Sequence, residues 1–406
     1  MITSKKLRHA HAIGINSRVI RHINRSIILN FIRERQPISR AAIAKVSKLN
    51  KSTVSSIVAG LLDEELIVEE PARYASVGRS PINIRLRTGK HLVGAISFDS
   101  ALTRAAIVDI DGTIHYSTDI TTRETNPRTF VTRCINDLTA LRKRHHLGQF
   151  KGIGITVAGI VDSIHSKVVF APNLGWEDVD LLAMVRELCP GVENIAVEND
   201  AKASALAELW FGHHDINLSN FVFLSVGRGI GSGIVIDKQV LDGESHFAGE
   251  FGHMTLIDGG EACSCGNLGC WEAYASDRAT VERFAKANGV NGLRKGDFTL
   301  EDVITAAKGG DRVAQEELLR TGRYLGLGIA NIIKAVDPDA IVVGGEITRE
   351  WDRIAPAIME GVKMRGFFGK LGQTTILPTS LSGQPSLLGA ATLSIRTFFT
   401  DVRVTL

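Results

Sequence analysis

The stretch Gly-Ile-Gly-Ile-Thr-Val-Ala-Gly-Ile-Val-Asp at residues 152–162 decides the fold class. Ile153–Val157 is a short, mostly apolar run, the pattern of a buried strand. Gly159 follows its end, and ligand sites in α/β sheets collect at the carboxyl ends of strands. Outward from here, strands and helices alternate. Upstream, Leu92–Ile96, Ala105–Val108 and Ile114–Thr118 read as a strand meander with a turn at Asp111-Gly112, then a helix around 127–147. Downstream come strand Ile195–Val197, helix 200–211, strands 221–226 and 232–236, helix 271–287, helices 300–336 and strand 340–343. That is an α/β body, with no tandem repeat and no low-complexity tract.

The residues before this body follow a different pattern. Asn24 is placed to cap a helix with Ile27, Ile28, Phe31 and Ile32 at helical spacing, and Pro37 stops it. Ser39 caps a second helix carrying Ile43, Ala44 and Val46, and Asn50 or Ser52 caps a third carrying Val54, Ile57, Val58, Leu61 and Leu62. Leu66-Ile67-Val68 and Ile82–Leu86 then read as two strands, linked through Gly78-Arg79-Ser80-Pro81. Three helices and a hairpin over 24–88 are the order of a winged helix-turn-helix, preceded by a basic arm over 1–23.

Charge supports this division. The chain has 406 residues, enough for two to four domains, and a formal net charge of only +3. Residues 1–90 hold 17 Lys and Arg against six acids, a net of +11, which leaves −8 for the rest. A basic module on an acidic body points to nucleic acid as the partner of the basic end. In a helix-turn-helix the start of the second helix meets base edges in the major groove. Lys51, Ser52, Thr53, Ser55 and Ser56 occupy that position, Lys51 and Lys48 are placed for phosphates, and Arg79 at the wing tip suits a minor groove. The plain alternative is a basic face used for protein contacts.

No apolar run of about 18 residues exists, so no membrane span is expected. No apolar segment follows the basic N-terminus, so it does not read as a secretory signal. Five cysteines are an odd number, and three of them fall within eight positions, which suggests a metal in a reducing, cytoplasmic setting. These are Cys263, Cys265 and Cys270, with His253 ten positions upstream of the first. Three thiolates and an imidazole suit a structural Zn2+ site, and Gly266 and Gly269 allow the tight turns it requires. A disulfide or three unrelated thiols are the alternatives. Cys134 and Cys189 read as ordinary buried residues.

Polar residues gather at the expected strand ends: Gly159, Asn173, Asn199, Asp200, Glu250, His253 and Glu272. Carboxylates and carboxamides can each pair two hydroxyls at once, which suits a sugar. Each also has a simpler reading as a loop or helix cap, most plainly Asn199 and Asp200.

The chain resembles the ROK family of repressors and sugar kinases, specifically its NagC/Mlc/XylR-type transcriptional repressors. The resemblance is carried by residues 152–162, Ala-Pro-Asn-Leu-Gly-Trp (171–176), Glu-Asn-Asp-Ala-Lys-Ala-Ser-Ala-Leu-Ala-Glu (198–208) and Gly-Arg-Gly-Ile-Gly-Ser-Gly (227–233). Glu-Phe-Gly-His-Met (250–254), Cys-Ser-Cys-Gly-Asn-Leu-Gly-Cys-Trp-Glu (263–272) and Val-Val-Gly-Gly-Glu (342–346) add to it. It implies a two-lobed actin/hexokinase-like, ribonuclease H-like body. The small lobe would cover 89–200, completed by a C-terminal helix at about 385–406, and the large lobe 201–384 with the zinc. It also implies sugar contacts at Asn173, Asn199, Asp200, Glu250, His253 and Glu272, with His253 giving one ring nitrogen to zinc and the other to sugar.

Asp200 matches the base of the family's kinases, which hold nucleotide on two glycine-rich loops. The second loop persists at Gly227–Gly233, with Arg228 inside it. Where the kinases carry Asp-x-Gly-Gly-Thr, this chain has Ser97-Phe98-Asp99-Ser100-Ala101-Leu102, whose side chains and charge work against a close backbone approach to phosphate. The expectation is therefore not an enzyme but a sugar-responsive regulator of carbohydrate-utilisation genes, acting as a repressor. It would bind double-stranded operator DNA as a homodimer or homotetramer and release it when a sugar closes the cleft. An active sugar kinase and a regulator driven by a protein partner are the rival readings.

Overall fold

The computed structural model describes residues 17–71, 82–99, 102–121, 125–216, 218–290, 298–365, 373–381 and 383–400. The chain forms two compact units, one of Leu92–Ser394 and one of Met1–His91 with Ile395–Leu406.

The N-terminal unit has helices Ser17–Arg35, Arg40–Ser47 and Lys51–Asp63. Its sheet places Ile82–Leu86 between Ile38–Ser39 and Ile67–Pro71, all antiparallel. The caps behave as polar side chains at helix starts should: Ser39 Oγ accepts from Ala42 N at 3.2 Å. Asn50 caps the third helix, accepting from Thr53 N at 2.7 Å, while Ser52 Oγ donates to Asn50 Oδ1 at 2.8 Å. The first helix begins at Ser17, seven residues before Asn24, so part of the stretch read as an arm is helical. No glycine or proline interrupts 17–35, and a helix propagates until something stops it. Ile28, Leu29, Ile32, Ile43, Val58 and Ile84 make the core. The end of helix Pro385–Phe399 belongs to this unit: Arg25 Nη1 donates to the Phe398 carbonyl at 3.3 Å and Arg33 lies over the Phe399 ring. The link at residues 78–81, with Arg79, lies outside the described residues.

The larger unit contains two five-stranded sheets of the same topology. In the first, Val93–Phe98, Leu102–Val108 and Ile114–Thr121 form an antiparallel meander, and Gly152–Val157 and then Asn194–Asn199 add in parallel on its other side. In the second, Phe221–Val226, Ile230–Ile236 and Gln239–Val240 form the meander, and Ala340–Gly344 and Thr375–Pro378 add in parallel. Each sheet with its helices is a lobe with its own apolar core. This duplication of topology left no repeat in the sequence. A third, small sheet of Ile160–Asp162, Lys167–Ala171 and Trp176–Val179 follows strand Gly152–Val157 along the chain.

The opening stretch owes its glycines to this packing. A side chain on Gly154 would run into the Ala390 carbonyl, because helix Pro385–Phe399 lies directly on that strand. The helix expected over 271–287 is broken in two, Glu272–Ala275 and Asp277–Ala287, since Ser276 turns away to cap the second piece through Ala279 N. No described helix is long and apolar enough to cross a membrane.

Candidate ligand cleft and metal centre

Parallel pairing of Gly152–Val157 with Asn194–Asn199 brings their carboxyl ends side by side. Gly159 lies just past one end, and Asp200 opens helix Asp200–Phe211 at the other. Asn199 joins them. Its Oδ1 accepts from Ala201 N at 2.9 Å and Lys202 N at 3.0 Å, capping the helix, and its Nδ2 donates to the Gly159 carbonyl at 2.9 Å. Gly159 itself is closely covered by Phe170 and Ala171, leaving no room for a side chain.

Asp200 lines a cavity of about 240 Å³ with Ser97, Asp99, Gln384 and Ser386. Burial, with the negative charges of Asp99 and Glu250, pushes its carboxyl up to about 7, against the helix N–H groups that favour the ionised form. Desolvation raises the Glu250 carboxyl, opposed by His253 and the charge of Lys202 and reinforced by Glu272. Asn173 is exposed on the turn before Trp176.

His253, Cys263, Cys265 and Cys270 converge, with all four ligand atoms within 4.8 Å of one another. Zinc bonds of about 2.3 Å to sulfur and about 2.0 Å to nitrogen, set tetrahedrally, place ligand atoms about 3.5–3.8 Å apart. Cys265 and Cys270 sulfurs are 3.7 Å apart, and Cys263 Sγ lies 3.6 Å from His253 Nδ1. The set is compatible with structural zinc. Nδ1 is the nitrogen turned to the sulfurs, which leaves Nε2 on the far edge of the ring. Gly266 and Gly269 both adopt positive φ, at 93° and 77°, as the tight loop requires.

Glu272 ties this loop to the second glycine-rich loop. Its Oε2 accepts from Ile230 N at 3.2 Å, and its Oε1 accepts from Ser264 Oγ at 3.1 Å and lies 3.2 Å from Cys263 Sγ. In that loop Asp277 N donates to the Gly227 carbonyl at 2.8 Å, and Arg228 is exposed. Of the first loop, which lacks glycine, Ser100 and Ala101 lie outside the described residues.

Residues 94–397 match the ROK family. The chain belongs to the ROK family. Its similarity to the xylose repressor of Bacillus spizizenii is 30% identity over 390 residues, covering 95% of this chain and 98% of that protein. A Streptomyces coelicolor glucokinase is 33% identical over 71% of this chain and 93% of its own length. Among solved structures, a ROK family transcriptional regulator described as a homologue of the Escherichia coli Mlc protein superposes with a TM-score of 0.78. Identity there is 26%, over 94% of this chain and 97% of that one. The family thus includes both regulators and kinases, and the ROK body here carries the two-lobed hexokinase-like architecture.

On the N-terminal unit, Lys48, Lys51, Ser52, Ser55 and Ser56 are exposed and Thr53 is half-buried. The third helix therefore presents Ser52, Ser55 and Ser56 as an open face while Val54, Ile57, Val58 and Leu61 are buried. Sequence reasoning missed Lys202, Asp242, His246 and Asp277. For Lys202 a signal existed: a lysine in the first turn of a helix meets the positive end of the dipole.

Proposed function

We propose that this protein is a sugar-responsive transcriptional repressor. The observation that carries the reading is the presence, in one chain, of a helix with an open hydroxyl-rich face and a separate ROK cleft centred on Asp200. Lys48, Lys51, Ser52, Thr53, Ser55, Ser56 and Arg79 contact operator DNA, and two copies read a palindrome as a homodimer or homotetramer. A repressor of this kind acts in the cytoplasm. Gly159, Asn173, Asp200, Glu250, His253 Nε2 and Glu272 line the sugar site. Asn199 acts there by positioning, since its side chain is engaged in capping and in holding Gly159. His253, Cys263, Cys265 and Cys270 would hold zinc, which stiffens the loop presenting Glu250 and Glu272. The domains are a basic arm over 1–23, a winged helix-turn-helix over 24–88, a small lobe over 89–200 completed by a C-terminal helix at about 385–406, and a large lobe over 201–384.

The absence of kinase activity is part of the proposal. Asp99 shares the Asp200 cavity where a transferred phosphate would sit, and its negative charge opposes one. Asp200 is retained for its hydrogen bonds to sugar. A sugar acts as inducer only if it binds the two states of the protein with different affinity. Because relatives matched over nearly the whole chain include xylose repressors, D-xylose is the first effector to try. Operator release with D-xylose, D-glucose and N-acetyl-D-glucosamine tests the reading. Asp200→Ala should bind operator normally and lose induction. Sugar-dependent ADP release from ATP would establish the kinase reading instead.

A further inference from the structure

Lys202 is the third residue of helix Asp200–Phe211, two positions from Asp200, and is only 3% exposed. An ammonium at the positive end of a helix dipole, out of water, demands compensation. It finds three acceptors for its three protons: Asp242 Oδ1 at 2.6 Å, the Asp242 carbonyl at 3.1 Å and the His246 carbonyl at 3.1 Å. These two residues belong to the segment that leads into Glu250. The other Asp242 oxygen accepts from His246 Nδ1 at 2.8 Å and from Ser163 Oγ at 3.5 Å. Burial would raise the Asp242 carboxyl, yet the bonds from Lys202 and His246 hold it below the usual range.

His246 then faces the other lobe. Its Nε2 lies 3.9 Å from Oδ1 of Asp162, at the end of strand Ile160–Asp162. Asp162 also accepts from His165 N at 3.0 Å and engages its Nδ1 at 2.7 Å. His246 adopts φ of 64°, in the left-handed region that non-glycine residues enter uncommonly. A row of charged and polar contacts thus runs from the helix that presents Asp200, through the segment leading into Glu250, to Asp162 and Ser163 of the other lobe. Its last link is just beyond hydrogen-bond length, so a shift of under about 1 Å would complete it.

We propose that Lys202, Asp242 and His246 are positioning residues that hold the Glu250 loop and link it to Asp162, so that a sugar between the lobes completes the His246–Asp162 contact and closes the cleft. This rests on the reading of the cleft as a sugar site. The test separates positioning from mere stability. A buried ion pair can be exchanged for apolar residues at little cost in stability, whereas removing one partner leaves the other charge stranded. Lys202→Met alone should therefore lower the melting temperature, and the double variant Lys202→Met/Asp242→Leu should regain the part owed to the stranded charge, the Asp242 and His246 carbonyls staying unpaired in both. The double variant should nevertheless bind sugar at least about tenfold more weakly in calorimetric titration of the full chain with D-xylose, D-glucose and N-acetyl-D-glucosamine. Lys202→Arg should retain part of the affinity, and His246→Asn should weaken binding without lowering stability. Wild-type affinity in the double variant would overturn the proposal. If none of the three sugars binds the wild type, the sugar reading fails, and hydrogen exchange decides the strap alone. Amides of 241–250 should be protected in the wild type and exposed in the double variant, and equal protection in both would overturn it.

Discussion

Asn199→Ala removes one side chain that serves two lobe-defining strands. Its Oδ1 satisfies two of the N–H groups that open helix Asp200–Phe211, and its Nδ2 satisfies the Gly159 carbonyl. The two backbone N–H groups can only donate and the carbonyl can only accept, so the amide has one workable orientation. Loss of an N-cap costs about 1–2 kcal/mol, and the bond to the Gly159 carbonyl adds about 1 kcal/mol. The sum is about 2–3 kcal/mol. For a unit of about 300 residues this lowers the melting temperature by about 5 °C. Asn199→Asp retains the acceptor and the favourable charge at the helix start but turns a donor into an acceptor facing the Gly159 carbonyl. It should regain the capping share of the loss and nothing more. Because Asn199 fixes both the start of the Asp200 helix and the Gly159 carbonyl, and both variants lose the second, both should also weaken sugar-induced operator release, Asn199→Ala more than Asn199→Asp. Thermal unfolding and operator titration with sugar are the two assays. A melting temperature within 1 °C of wild type for Asn199→Ala, or an unchanged sugar response alongside the expected destabilisation, would refute the reasoning.

Asp277 Oδ1 is buried without a hydrogen-bond partner among the described residues, and burial, with the charge of Glu346, pushes this carboxyl up to about 7. The folded chain then holds a proton that the unfolded chain releases near 3.8, so stability falls as pH rises from about 4 to about 7 and stays low above. Asp277→Asn should stabilise the protein at pH 8, by at most about 4 kcal/mol, and change little at pH 4. Equal effects at both would contradict it. Stripping metal with a chelator, or Cys265→Ser, should red-shift the emission of Trp271, which is fully buried immediately after Cys270, and abolish the sugar response. Unchanged emission and response in metal-free protein would remove the structural role of zinc. Lys51→Ala should weaken operator binding about uniformly across sequences and reduce the salt slope by about one, whereas a loss specific to one base position would make it a base-reading residue.

The sequence by itself determined what depends on neighbours along the chain. The apolar runs 153–157, 221–226 and 340–343 became buried strands because a buried strand needs only its own run of residues. Three cysteines within eight positions, with two glycines to turn the backbone, specified a convergent ligand set before any packing was known. The basic excess before residue 91 and the hydroxyl face of the third helix were equally local. Tertiary structure decided the rest. Asn199 was legible as a cap, but its hold on Gly159 spans 40 positions and arises only because two parallel strands end together. Lys202 showed a sequence-level misfit whose remedy, Asp242, also lies 40 positions away. The break at Ser276 was hidden by continuous helical spacing, and the assignment of Phe398 and Phe399 to the N-terminal unit by more than 360 residues of separation. Periodicity and capping are short-range properties that a sequence displays directly. Compensation of a buried charge or an unpaired carbonyl is satisfied by whatever the fold brings within about 3 Å, and only the fold reveals the partner.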